Sequence, residues 1–120
     1  LGQGSEEAAK VAVAVRMQDK DGSKYLEFHR RFLGTRGEAN AARALAAAKD
    51  AGLDMAQIER DLKSDEIRAT LEESRSLAEA LGISGTPSYV VGGEVVPGAV
   101  GAPTLAKIVA AVRKCGAVTC

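Results

Sequence analysis

Aromatic residues are scarce here: the 120-residue chain has two Tyr, two Phe and no Trp. Any core must therefore be built from Ala, Val, Leu and Ile, and a hydrophobic content of 46% is enough for one domain. Net charge is missing as well, because 16 basic residues meet 16 acidic ones. That balance argues against a nucleic-acid or anionic-membrane surface, which needs a basic excess to displace counterions. No apolar run approaches the roughly 20 residues that cross a bilayer, so no membrane insertion is expected. Histidine occurs once, as His29, and cysteine twice, as Cys115 and Cys120. These are too few for a zinc site or a disulfide-rich scaffold, and neither a metal nor a cofactor is expected. Both cysteines fall near the end of the chain and leave two readings open. One is a terminal disulfide, which would favour an oxidising compartment. The other is a pair of free thiols on a frayed tail, since a short loop at a chain end adds little stability. The chain opens on Leu1, without a charged-then-apolar leader. It is expected to be a processed product, a fragment or a trimmed form of a longer protein.

What is present is mostly helical pattern. Ser5 reads as an N-cap, with Glu6 and Glu7 in the first turn of a helix reaching Met17. Within it Val11-Ala12-Val13-Ala14-Val15 alternates and also resembles a strand; the capped, acidic start favours helix. Asp19 to Ser23 is a polar loop. A second helix spans Lys24 to Leu33, with Tyr25, Phe28 and Phe32 on one face and Leu26, His29 and Leu33 beside it. An alanine-rich third helix is expected over Glu38 to Ala51, closed by Gly52. Asp54 and Gln57 form a capping-box pattern that opens a short helix to Lys63. Ser64 reads as the cap of a long helix with Ile67, Leu71, Ala78 and Leu81 along its buried stripe. Its outer face holds Arg68, Glu72, Glu73, Arg75 and Glu79, and Gly82 suits its C-terminal stop. Pro103 fits the first turn of a last helix that turns Leu105, Ile108, Val109 and Val112 inward.

Between the last two helices lies the segment from Ile83 to Ala99, which alone carries strand signals. Ser88 to Val91 and Glu94 to Val96 are short β-prone runs around Gly92-Gly93, the pattern of a tight hairpin. Thr86-Pro87 stands at the entrance of the first run and marks a strand start, a sheet edge or a cis peptide bond. A lone hairpin is marginal in water, and this one is apolar on both faces, as in a larger sheet. Its partner strands must come from Val11–Val15, from the rest of a longer protein or from a second chain. The longer protein is the favoured source. No repeat, low-complexity tract or linker divides the chain, which reads as one partial domain over residues 1–120.

The run Gly82-Ile83-Ser84-Gly85-Thr86-Pro87-Ser88-Tyr89-Val90-Val91-Gly92-Gly93, with Val96-Pro97-Gly98-Ala99 after it, resembles the cis-proline loop and final hairpin of DsbA-like thiol–disulfide oxidoreductases. The resemblance implies an α/β thioredoxin-like fold with an inserted helical domain. About five helices, one β-hairpin and one C-terminal helix of that fold are present. Residues 5–81 would be the insertion with its flanking helices, and residues 82–120 the C-terminal part of the thioredoxin-like core. It also implies a cis bond before Pro87 and a substrate-side wall formed by Gly85, Thr86 and Pro87. Protein or peptide thiols would be the substrates and a membrane redox partner a further contact, in the periplasm or cell envelope of a bacterium. The family's catalytic Cys-X-X-Cys is absent from this sequence, so no catalytic residue is assigned. As it stands the chain is expected to be inactive and truncated.

Two other functions compete. Glutathione-dependent isomerases and kappa-class transferases share the helices and the proline loop without needing Cys-X-X-Cys. The Val96-Pro97-Gly98-Ala99 segment is more similar to the disulfide oxidoreductases. From a different class comes a non-catalytic module that binds a peptide, or a second copy of itself, at the hairpin edge. His29 reads as a packing or surface residue. The spacing of Cys115 and Cys120 does not suit the family's redox site. Gly92-Gly93 is turn chemistry, because no helix follows it directly to bind phosphate.

Overall fold

Six helices and one hairpin make up the fold of the computed structural model, which describes residues 2–120. In chain order they are α1 (Gln3–Gln18), α2 (Ser23–Gly34), α3 (Ala41–Asp50), α4 (Met55–Asp61), α5 (Asp65–Ala80), β1 (Ser88–Val91), β2 (Glu94–Pro97) and α6 (Ala102–Cys115). The chain forms two compact units, residues 1–73 and residues 74–120, with the division inside α5.

The first unit is helices packed on small residues. Val11, Ala14 and Val15 are buried on α1, which resolves their strand-like alternation. Their i, i+3, i+4 spacing puts them on one helical stripe. Ala44, Ala47 and Ala48 of α3 are buried too, and α1 packs against α2, α3 and α4. With methyl groups at these positions, the helix backbones approach closely. Gly4 shows the limit: a Cβ there would collide with the Ala39 carbonyl oxygen. Phe28 is the one fully buried aromatic, and Tyr25 and Phe32 pack beside the core. The Phe28 and Phe32 rings stack with centroids 5.9 Å apart. Leu26, His29 and Leu33 flank this stripe and are exposed. Burying a side chain the size of Phe28 or Ile58 contributes about 1.5–3 kcal/mol.

Several helix starts differ from the sequence reading. Ser5 lies inside α1, whose N-cap is Gly2 without a side-chain bond. The third helix begins at Ala41 rather than Glu38, because the Asn40 side chain accepts from the Arg43 amide at 3.0 Å. Glu38 stays outside, where its carbonyl accepts from Arg43 Nη1 at 2.6 Å. The Asp54 cap is present, its carboxylate accepting from the Gln57 amide at 3.2 Å. Gln57 does not reciprocate. The Asp54 amide donates instead to Gln18 Oε1, and Gln18 Nε2 donates back to the Asp54 carbonyl. The Ser64 hydroxyl is buried and makes no hydrogen bond, so it does not cap α5.

The second unit holds the end of α5, the hairpin and α6. Gly82, at φ 68°, ends α5. The Ile83 amide bonds the Ala78 carbonyl and the Gly82 amide the Glu79 carbonyl, a Schellman stop. Strands β1 and β2 pair antiparallel, Ser88 opposite Pro97 and Val91 opposite Glu94, around Gly92 at φ 62°. Helix α6 packs on β1. Every hydrophobic residue of the buried core lies between Ala8 and Ile67, so the second unit contributes none. The expected buried stripe of α5 accordingly thins along the helix: Ile67 is buried, Leu71 and Ala78 are half-buried, and Leu81 is exposed. The inward residues of α6 are half-buried at most. A two-stranded sheet offers too little surface to cover them.

Candidate functional site

The site is built where α5 stops. The Schellman turn at Gly82 directs residues 83–87 across to the start of β1, and the Thr86–Pro87 peptide bond is cis. Two contacts tie the loop down. Ser88 Oγ donates to the Gly85 carbonyl at 2.7 Å. The Pro87 carbonyl accepts from the Gly98 amide at 2.9 Å, extending the hairpin by one bond beyond the Ser88–Pro97 pair. Proline has no amide to donate, so Pro87 suits this outer end of the ladder.

Around this loop is an open recess of about 200 Å³. Gly82, Ile83, Ser84, Gly85, Thr86 and Pro87 line it from one side, and Ser88, Val95, Pro97 and Gly98 from the other. Gly85, Thr86 and Pro87 are exposed in it. The residues named from sequence thus share one recess, and among the seven others that line it three are tied to the loop by hydrogen bonds or strand pairing. Ser88, Pro97 and Gly98 become neighbours through the hairpin register. The three-residue step from Gly85 to Ser88 is a serine-turn signal, whereas the approach of Gly98 depends on strand pairing.

None of the lining residues is an acid, a base or a thiol. The recess alone therefore offers shape, hydroxyls and backbone hydrogen-bonding groups, which suits holding a peptide rather than moving a proton or an electron pair. Cys115 and Cys120 are not among its lining. They are joined as a disulfide at the end of α6, with Cα atoms 6.2 Å apart. His29 belongs to the other unit, its ring stacked on Tyr25 at 6.2 Å. Among the described residues no three His, Cys, Asp or Glu side chains gather as a metal site.

Among the described residues, an ionisable group in the α1–α2 loop departs from its ordinary pKa. Asp21 is held below the usual carboxylate range, first by the Ser23 hydroxyl and next by the Ser23 amide. Those donors stand 2.7 Å and 2.9 Å from Asp21 Oδ1. The same loop is closed by Asp19 Oδ2, which accepts from the Tyr25 amide at 2.8 Å.

Comparison with known proteins gives the site its context. A crystal structure of a thioredoxin-like oxidoreductase from Silicibacter pomeroyi DSS-3 is similar, at TM-score 0.83 and 41% sequence identity. The match covers 95% of this chain and 64% of the other, so this chain spans less than two thirds of that relative's length. No curated protein matches. The family model described as DSBA-like thioredoxin domain matches residues 1–110. The helices, the proline loop and the hairpin fit that assignment, and the chain belongs to the family of DSBA-like thioredoxin domains.

Proposed function

We propose that this chain is part of a protein thiol–disulfide oxidoreductase, and that Gly85, Thr86 and Pro87 form the wall on which its substrate peptide lies. The observation that carries this reading is the match of residues 1–110 to the DSBA-like thioredoxin domain, with Gly85, Thr86 and Pro87 exposed in a recess at the entrance of β1. The Thr86 backbone pairs with an extended peptide as an added strand would, and Gly85 leaves room for its approach. Residues 82–120 form the C-terminal part of the thioredoxin-like core, and residues 5–81 the helical insertion with its flanking helices.

In this reading the redox dithiol, a Cys-X-X-Cys pair, comes from outside these 120 residues. The greater length of the S. pomeroyi relative and the two-stranded sheet both support that. A substrate thiolate attacks one sulfur of the enzyme disulfide. A mixed disulfide forms, and the second enzyme sulfur leaves as a thiolate. The substrate's other thiolate then attacks the mixed disulfide, closing the substrate disulfide and releasing the first enzyme sulfur. Two electrons have passed from substrate to enzyme, and a membrane redox partner takes them on. The Cys115–Cys120 disulfide supports an oxidising compartment, the bacterial cell envelope or periplasm. Among the described residues no helix is long and apolar enough to cross a membrane.

The test is oxidation of a reduced dithiol peptide by the full-length protein. Pro87→Ala is expected to slow it about tenfold by misplacing the peptide. Exchanging Cys115 and Cys120 for Ser is expected to leave the rate unchanged. A normal rate in Pro87→Ala, or loss of activity in the cysteine variant, would overturn the reading. One observation favours a second function. Val90 is 54% exposed on a strand with a single partner. A non-catalytic module would add a peptide or a second copy along that edge. Full-length protein that lacks any redox dithiol yet binds extended peptides would support this alternative.

A further inference from the structure

A second concavity lies in the first unit, within residues 30–50. A cleft of about 420 Å³ opens between the C-terminal half of α2 and the outer face of α3. Arg30 and Arg31 contribute from α2, Arg43 from α3, and Asp50 is the one acid in the lining. The chain as a whole is charge-balanced, so three guanidinium-bearing residues around one concavity are a local excess. The concavity exists because Gly34, Ala46 and Ala47 line it with almost no side-chain volume. Long cationic side chains over a floor of small residues make a shaped site rather than a solvated helix face.

The arginines are partly oriented already. Arg43 donates through Nη1 to the Glu38 carbonyl and through Nη2 to the Thr35 hydroxyl. Arg31 donates through Nε to Glu27 at 2.6 Å. A guanidinium has five N–H donors, so these bonds fix the groups and leave further donors on each. A guanidinium stays charged at any physiological pH and matches a carboxylate or phosphate edge bidentately. Two features oppose an anion: the Asp50 carboxylate, and the α2 carbonyl end at Gly34 with its partial negative charge. Glu27 offsets part of Arg31's charge. The remaining excess is modest, so affinity depends on more than one charge on the ligand. The volume is that of a small-molecule site and exceeds the needs of a bare ion.

We propose that this cleft binds a small organic dianion, carried as a phosphate or as paired carboxylates, between Arg30, Arg31 and Arg43. The site stands apart in sequence from the Gly85-Thr86-Pro87 loop, and its test does not depend on redox activity.

The full chain is titrated at low ionic strength with phenyl phosphate in one arm and succinate in the other, followed by amide chemical shifts. Saturable shifts confined to residues 30–50 are expected in at least one arm, and that arm identifies the anion chemistry. Arg30→Gln is expected to weaken binding about fivefold, and Asp50→Asn to tighten it by a similar factor. Arg43→Ala also breaks the ties to Glu38 and Thr35, so the exposed Arg30 is the cleaner probe. No saturable binding in either arm overturns the proposal. So do shifts scattered over the surface, or an Asp50→Asn variant that fails to bind more tightly.

Discussion

Gly4 and Asp21 show how single residues constrain this chain. Gly4 sits in a helix, where alanine gains up to about 1 kcal/mol in propensity. Its missing Cβ is nevertheless required, because the Ala39 carbonyl oxygen occupies that space. Overpacking against backbone costs roughly 1–3 kcal/mol, so Gly4→Ala is expected to be net destabilising. A lowered urea midpoint at unchanged slope is the check. Asp21 gives a pH dependence with a definite sign. Its folded pKa is depressed by two Ser23 donors, so the ionised form is favoured by folding. The contribution is present above the unfolded pKa and is lost as pH falls through the folded one. A titration followed at the Ser23 amide is expected to show a midpoint below the ordinary Asp value. Asp21→Asn is expected to remove that transition.

At the scale of elements, helix starts decide more than helix interiors. Asn40 and Ser64 both stand just before a helix and both are good cap residues by type. Asn40 accepts from the Arg43 amide, and Asn40→Ala is expected to cost about 1 kcal/mol. The Ser64 hydroxyl is buried without a partner. Removing it takes away an unsatisfied polar group, so Ser64→Ala is expected to be neutral or stabilising. Thermal melts of the two variants distinguish the roles, and equal losses would contradict them. The same contrast shows what was legible. The Asp54 cap, the Gly82 stop and the Gly92-Gly93 turn were readable because each depends on residues within a few positions. Ser5 and Glu38 misled because Gly2 and Asn40 hold the actual helix entries. At Asn40 a side-chain bond sets the start.

At the scale of the whole chain, stability is unevenly distributed. The buried hydrophobic residues all lie between Ala8 and Ile67, whereas Leu77, Leu81 and Val90 in the second unit are exposed. Local opening is easiest where few apolar groups are buried. Hydrogen exchange on this chain is therefore expected to protect α1 and α3 most and to leave β1 and β2 orders of magnitude less protected. Equal protection of the hairpin and α1 would mean that the strands gain cover these contacts do not supply.

The sequence by itself determined the helical pattern, the hairpin and its turn. It also determined the Gly-Thr-Pro loop that carries the family likeness, because periodicity, turn chemistry and motif are local properties. It also gave the strand deficit, since a count of β-prone runs needs no coordinates. The helix over Val11 to Val15 was favoured by local pattern as well, and the tertiary structure added that its stripe is turned into the core. Only the tertiary structure brought Pro97 and Gly98 to the proline loop, joined Cys115 to Cys120 and set three arginines around one cleft. Each of these depends on pairing or packing between segments distant in the chain or on alternatives the local pattern left equal. Their choice rests on burial and hydrogen bonding in three dimensions, not on any single stretch of residues.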